Sequence, residues 1–214
     1  MVDKDTGSVV VGIDGTAGSA GALRYAVQQA RQRHRHLRLV HARPRYEGTS
    51  PIDPYLREQI EETGRSLLSA ARDQAEKMAP DLTITTVLES GSRVAVLTRV
   101  ADGGELLVLG RETRKGFDRL LFGATTAAVA ARATVPTAVV PDSWRPKPCA
   151  GRIVVGLRAA EHSAELLEAA IAHAAASGAS LEVVHAWELP DAYNNIIEAR
   201  THDAYWVHQG TRLV

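Results

Sequence analysis

The chain repeats part of itself without a gap, and that repeat constrains its fold more than any other feature. Val10-Val11-Gly12 returns as Val154-Val155-Gly156, Ser19-Ala20 as Ser163-Ala164, and Leu23 as Leu167. Ala26 and Ala30 return as Ala170 and Ala174, Leu37 as Leu181, and Val40-His41-Ala42 as Val184-His185-Ala186. A constant offset that keeps turn and apolar positions together implies two copies of one folding unit. Each copy holds a β-branched run, a segment with apolar residues at helical spacing, and a second apolar run. This is a strand–helix–strand unit, and it calls for a parallel sheet with a crossover helix.

Beyond the repeated part, the first copy continues the alternation. Strands are expected over Ser8–Asp14, Leu37–Ala42, Leu82–Leu88, Leu106–Leu109 and Thr137–Val140. Helices are expected over Ala17–Arg33, Leu56–Met78, Arg93–Ala101 and Ala124–Ala133, with Thr16 or Ser19 capping the first. Alternation of this kind implies an α/β fold with a parallel sheet and right-handed crossovers. Ligands of such sheets bind beyond the C-terminal strand ends, at a switch in strand order. Asp14, Ala42 and Gly110 fall at such ends. The second copy has no counterpart of the third to fifth strands. Where the first has Asp14 and Gly15, the second has Arg158 and Ala159. Residues 1–142 are therefore expected to form a complete domain, 143–151 a Pro-containing linker, and 152–214 an incomplete second domain with a helix over Ala192–Val207.

The stretch from Glu105 to Thr126, ELLVLGRETRKGFDRLLFGATT, runs strand, glycine, basic loop, glycine, helix start. Backbone N–H groups at a helix start, with Arg and Lys nearby, favour an anion such as phosphate. A plain strand-to-helix connection with glycines at its turns reads equally well from these residues alone.

Composition narrows the partners. The 214 residues carry 25 Lys and Arg against 25 Asp and Glu, so no bulk charge draws the chain to nucleic acid or membrane. Aromatics are 5%, too few for a base-stacking surface. No apolar run approaches a membrane span, and the polar start MVDKDTGS is not a signal peptide, so the expected location is cytoplasmic. The single cysteine, Cys149, is read as an incidental linker thiol. Arg31, Arg33, His34, Arg35 and His36 read as a solvated cationic helix end. His41 and His185 repeat and read as structural positions at strand ends. No metal-ligand spacing, Gly-x-Ser-x-Gly elbow or Walker-type Gly-Lys-Ser/Thr loop is present, so no catalytic residues and no metal set are expected.

These stretches resemble the universal stress protein family: VVVGIDGTAGSAGALRYA, LVHA, and LLVLGRETRKGFDRLLFGATTAAVAARATVPTAVVP. The resemblance covers nearly all of 8–141 and the start of a second copy over 152–190. It implies a five-stranded parallel sheet with helices on both faces, of the adenine nucleotide α-hydrolase-like kind, plus a partial second copy. Many members bind ATP and others do not. The family's motif is Gly-x2-Gly-x9-Gly-Ser/Thr. Gly110 and Gly123 fit its first and third glycines, whereas Thr113 and Ala124 depart from its second glycine and its hydroxyl residue.

By resemblance, Gly12, Asp14 and Ala42 lie near the nucleoside. Gly110, Arg111 and Thr113 lie in the ribose and phosphate region, and Gly123, Ala124 and Thr125 face the phosphates. The implied ligand is ATP or another adenine nucleotide, with or without Mg2+. The implied role is a nucleotide-responsive regulatory module in stress response, acting on a regulatory protein the sequence does not name. A homodimer is expected through the fifth strand, Val135–Val140, or by element exchange. The alternatives are a stress-associated interaction protein that binds no nucleotide, or a weak nucleotide hydrolase.

Overall fold

The computed structural model describes residues 7–45, 54–111, 123–146, 151–157 and 163–185. The chain divides into two compact units, Met1–Pro146 and Lys147–Val214.

In the first unit the order is β1 (Val9–Gly12), α1 (Ala17–Gln32), β2 (Leu37–Arg43), α2 (Pro54–Met78), β3 (Ile84–Ser90), α3 (Arg93–Ala101), β4 (Leu106–Arg111), α4 (Ala124–Ala130) and β5 (Thr137–Pro141). All neighbouring strands are parallel, in the order β3-β2-β1-β4-β5. The expected five-stranded α/β fold is the observed one. The chain builds outward from β1 to β3, then returns to the other side of β1 with β4. The order therefore reverses between β1 and β4.

Successive β1 residues point to opposite faces, and both faces are covered. Val9, Val11 and Ile13 pack with Ala22, Ala26 and Ala30 of α1 and Leu68, Ala71 and Ala75 of α2. Val10, Val40, Leu107 and Leu109 pack with Val96, Leu97 and Val100 of α3 and Val129 of α4. This double coverage explains why Val9-Val10-Val11 is apolar without alternation. Each of these valines is worth about 1.5–3 kcal/mol on burial.

Local chemistry shifts some expected boundaries. The third strand begins at Ile84 rather than Leu82, because the Leu82 N–H donates to the Ala79 carbonyl in the turn that closes α2 (3.1 Å). The fourth helix stops at Ala130 rather than Ala133, where Arg132 and Ala133 both donate to the Val129 carbonyl. Thr16 occupies the N-cap of α1, but its side chain does not cap. The Asp14 carboxylate takes both the Thr16 N–H (2.9 Å) and the Thr16 hydroxyl (2.8 Å), which closes an Asx turn ahead of the helix. Ser19 does not cap either, since its hydroxyl donates to the Thr16 carbonyl. Part of the expected linker is tied down: Trp144 packs against the core face that carries α1.

The second unit contains β6 (Arg152–Leu157), α5 (Ala164–Ser177) and β7 (Ser180–His185), with β6 and β7 parallel. Helix α5 ends at Gly178 in the left-handed conformation (φ 63°), a common helix stop. The repeat extends to side-chain bonding. His185 Nδ1 lies 2.9 Å from the Leu157 carbonyl, and His41 Nδ1 lies 2.7 Å from the Ile13 carbonyl, its counterpart. Burial differs. Val10 and Val40 are 0% and 1% exposed, whereas Val154 and Val184 are 51% and 41% exposed. Among the described residues the second unit has no counterpart of β4, α3 and α4, which cover those positions in the first. The expected helix Ala192–Val207, together with Arg158, Ala159 and Cys149, lies outside the described residues.

Candidate functional site

A hollow of about 420 Å³ opens at the C-terminal ends of β1, β2 and β4, where the strand order reverses. Gly12, Asp14, Ala42, Gly110, Gly123 and Thr125 line it together. Arg111 and Ala124 are not among its lining residues. Arg111 stands at the end of β4, where its carbonyl accepts from the Asp142 N–H (3.0 Å), and Ala124 is exposed at the start of α4. Thr113 lies outside the described residues.

Each lining residue is there for a local reason. Asp14 follows β1 and is held by the turn it forms with Thr16. That turn engages Oδ1, while Oδ2 makes no hydrogen bond among the described residues. Asp14 is the one carboxylate among the described lining residues. Ile13, Val40, Leu97, Leu109 and Val129 supply an apolar wall, and all are buried members of the two core faces. His41 is fixed by its bond to the Ile13 carbonyl, to which its Nδ1–H donates. Thr125 and Thr126 add hydroxyls from the first turn of α4, whose N-cap Gly123 has no side chain to occupy that turn.

The two glycines shared with the motif differ in what requires them. A β-carbon on Gly110 would meet the Gly18 carbonyl oxygen at 2.3 Å, so the fold itself demands glycine there. A β-carbon on Gly123 would meet nothing within 4 Å, and its φ of −57° suits any residue. The packing therefore does not explain Gly123.

Sequence reasoning missed His41, Ser19, Thr126 and Arg93 as lining residues. His41 was legible from its position beside Ala42 at a strand end. Arg93 carried no such signal, because α3 reaches the hollow only through the sheet order.

A larger hollow, about 850 Å³, lies at the opposite end of the sheet among Arg31, His34, His36, Asp81 and Thr83. Its size does not make it the better candidate. It is remote from the strand-order reversal, and two of its cations hold the fold together. Arg24 donates to the Asp142 and Trp144 carbonyls, and Arg35 donates to Glu105.

The model of the universal stress protein family matches residues 6–141. A universal stress protein of Mycolicibacterium smegmatis is 33% identical over 132 residues, 62% of this chain and 45% of that protein. A universal stress protein of Mycobacterium tuberculosis is 29% identical over 187 residues, 84% of this chain and 63% of that protein. This chain thus spans less than two thirds of the length of either relative. The crystal structure of a universal stress protein in complex with cAMP superposes with a TM-score of 0.50 at 26% identity. That match covers 65% of this chain and 99% of the other.

Proposed function

Because the chain belongs to the universal stress protein family, we propose that its first unit is an adenine-nucleotide-binding regulatory module rather than a dedicated enzyme. The observation that carries this reading is the hollow at the strand-order reversal, where an apolar wall, a half-free carboxylate and threonine hydroxyls converge. Support also comes from the 26%-identical structure whose printed ligand is cAMP.

The chemistry divides the ligand between two ends. Ile13, Val40, Leu97 and Leu109 offer the dry surface an adenine requires, with Ala42 leaving room beside them. Asp14 Oδ2 accepts a hydrogen bond from a ribose hydroxyl or the adenine amino group. Phosphate lies toward Gly123, Thr125 and Thr126, with Arg111 near the end of β4. Mg2+ accompanying a di- or triphosphate would be held by the ligand's own phosphates, with Asp14 the described lining carboxylate that could join them.

Nucleotide occupancy then biases association. β5 is an edge of the first unit's sheet, and an unpaired edge is a template for a second chain. A homodimer through Val135–Val140 and a cytoplasmic location complete the proposal.

Calorimetry of the full chain with ATP, ADP, AMP and cAMP tests the reading, alongside thermal unfolding. Binding at one ligand per chain is expected. A ligand held at a hundred times its Kd should add about 2.7 kcal/mol of stability. Neither heat nor a melting shift with any of the four at millimolar concentration would sink the nucleotide reading. It would favour an interaction protein that binds none.

A further inference from the structure

Arg93 is the first residue of α3 and one of the residues that line the hollow. It is exposed, and among the described residues it makes no hydrogen bond and no ion pair. The contrast with its own helix is informative: Arg99, the basic residue of the last turn, pairs with Glu89. Ser92 caps the helix, its hydroxyl accepting the Ala95 N–H at 3.2 Å. No acidic residue stands in the first turn of α3. A cation there opposes the helix dipole, so its position weakens the helix when nothing neutralises it.

The surroundings specify what would neutralise it. α3 and α4 pack on the same face of the sheet through Val96, Leu97, Val100 and Val129. The same hollow therefore receives Arg93 from one helix and Thr125 and Thr126 from the other. Among the described lining residues Arg93 is the one arginine or lysine, and the one carboxylate, Asp14, is already engaged through Oδ1. Among the described residues the hollow thus holds a cation with no protein anion paired to it, beside hydroxyl donors.

We propose that Arg93 binds the ligand's phosphate and makes this pocket select adenine nucleotides over adenosine. The guanidinium is always charged and donates in a planar fork that matches two phosphate oxygens. It replaces the anion its helix lacks with one that arrives on the ligand. The assignment rests on the nucleotide reading of the same hollow.

Calorimetry with AMP, cAMP and adenosine, on the full chain and its Arg93→Ala and Arg93→Lys variants, tests it. The unmodified chain should hold AMP and cAMP more tightly than adenosine. Arg93→Ala should lose about tenfold or more in affinity for AMP and cAMP, with adenosine unchanged, because a charge-assisted contact is removed. Arg93→Lys should recover part of that loss. The melting temperature of unliganded Arg93→Ala should equal or exceed that of the parent, since a cation leaves a helix start. AMP affinity unchanged in Arg93→Ala would overturn the assignment while leaving the nucleotide reading intact. So would an equal loss for adenosine, or a drop in melting temperature that tracks the affinity loss. Failure of the parent chain to bind any of the three ligands would overturn both.

Discussion

Gly110 and Gly18 meet backbone to backbone beside the candidate site. A β-carbon on Gly110 would lie 2.3 Å from the Gly18 carbonyl oxygen and 3.0 Å from the Ser19 nitrogen. The start of α1 thus rests directly on the end of β4, and this contact sets how closely the two elements frame the hollow. Gly110→Ala should force them apart. The expected cost is about 2 kcal/mol or more, as for overpacking against backbone. The urea unfolding midpoint of the variant reads it. A change within about 0.5 kcal/mol of the parent, the range of neutral surface substitutions, would show that α1 yields easily.

Gly123→Ala makes the complementary case. Space is open around the added methyl group, and φ is compatible, so the loss should stay below about 1 kcal/mol, the scale of an N-cap change. AMP affinity should nevertheless fall by about fivefold, since ligand and methyl group compete for one space. Comparing unfolding midpoints with binding isotherms separates the two effects. Unchanged affinity would mean that ligand does not approach at Gly123.

Glu105 joins β4 to the end of α1 electrostatically. It accepts from Arg33 at 2.8 Å and from Arg35 at 2.6 Å. The Arg33 hydrogen bond chiefly holds its carboxyl below the ordinary value of 4.5; partial burial opposes this, and Arg35 reinforces it. Above about pH 4.5 the contribution to stability is present in full. As pH falls below that point, the unfolded chain takes up the proton first, which favours unfolding. The contribution is lost as pH passes down through the folded-state value. The stability difference between parent and Glu105→Gln should therefore be constant at neutral pH and shrink from about pH 4.5 downward. Urea titrations at stepped pH measure it, and a difference that widens on acidification would contradict the assignment.

The sheet was legible because burial on both faces leaves a direct mark on composition. Val9-Val10-Val11 predicts a central strand, and the spacing of Ala22, Leu23, Ala26, Val27 and Ala30 predicts the buried side of α1. Strand ends were legible for the same reason, and with them Asp14, Ala42 and Gly110. What depended on topology was not legible. Arg93 enters the hollow because β3 lies at one edge and β4 beside β1, a relationship no local pattern encodes. The need for glycine at 110 likewise comes from a helix some ninety positions earlier. Motif comparison marked the residue without indicating that packing accounts for it.

Tyr25 and Trp144 form the last testable contact. Their rings meet edge to face, with centroids 5.2 Å apart and planes at 88°. Arg24, next to Tyr25, donates to the Asp142 carbonyl at 2.7 Å and to the Trp144 carbonyl at 3.1 Å. The segment after β5 is thereby fastened to α1 by one aromatic contact and a two-point guanidinium clamp. Burial raises the Tyr25 hydroxyl above its ordinary value of 10.0, with Arg33 partly opposing it. Trp144→Ala removes the covering ring, so Tyr25 should titrate closer to 10.0, as followed by phenolate absorbance with Tyr25→Phe to assign the signal. The edge-to-face term alone is worth about 0.5–1.5 kcal/mol, and lost burial adds to it. Limited proteolysis should then cut near Ser143 faster in Trp144→Ala than in the parent. Arg24→Ala should accelerate the same cut, because the two carbonyls lose the bonds that tie them to α1 and keep only those from Arg145 of their own segment. If cutting rates stay at the parent's level in both variants, neither the ring contact nor the clamp holds the segment. Its order would then come from the remaining bonds, among them Trp144 N–H to the Pro141 carbonyl and Asp142 N–H to the Arg111 carbonyl, each 3.0 Å.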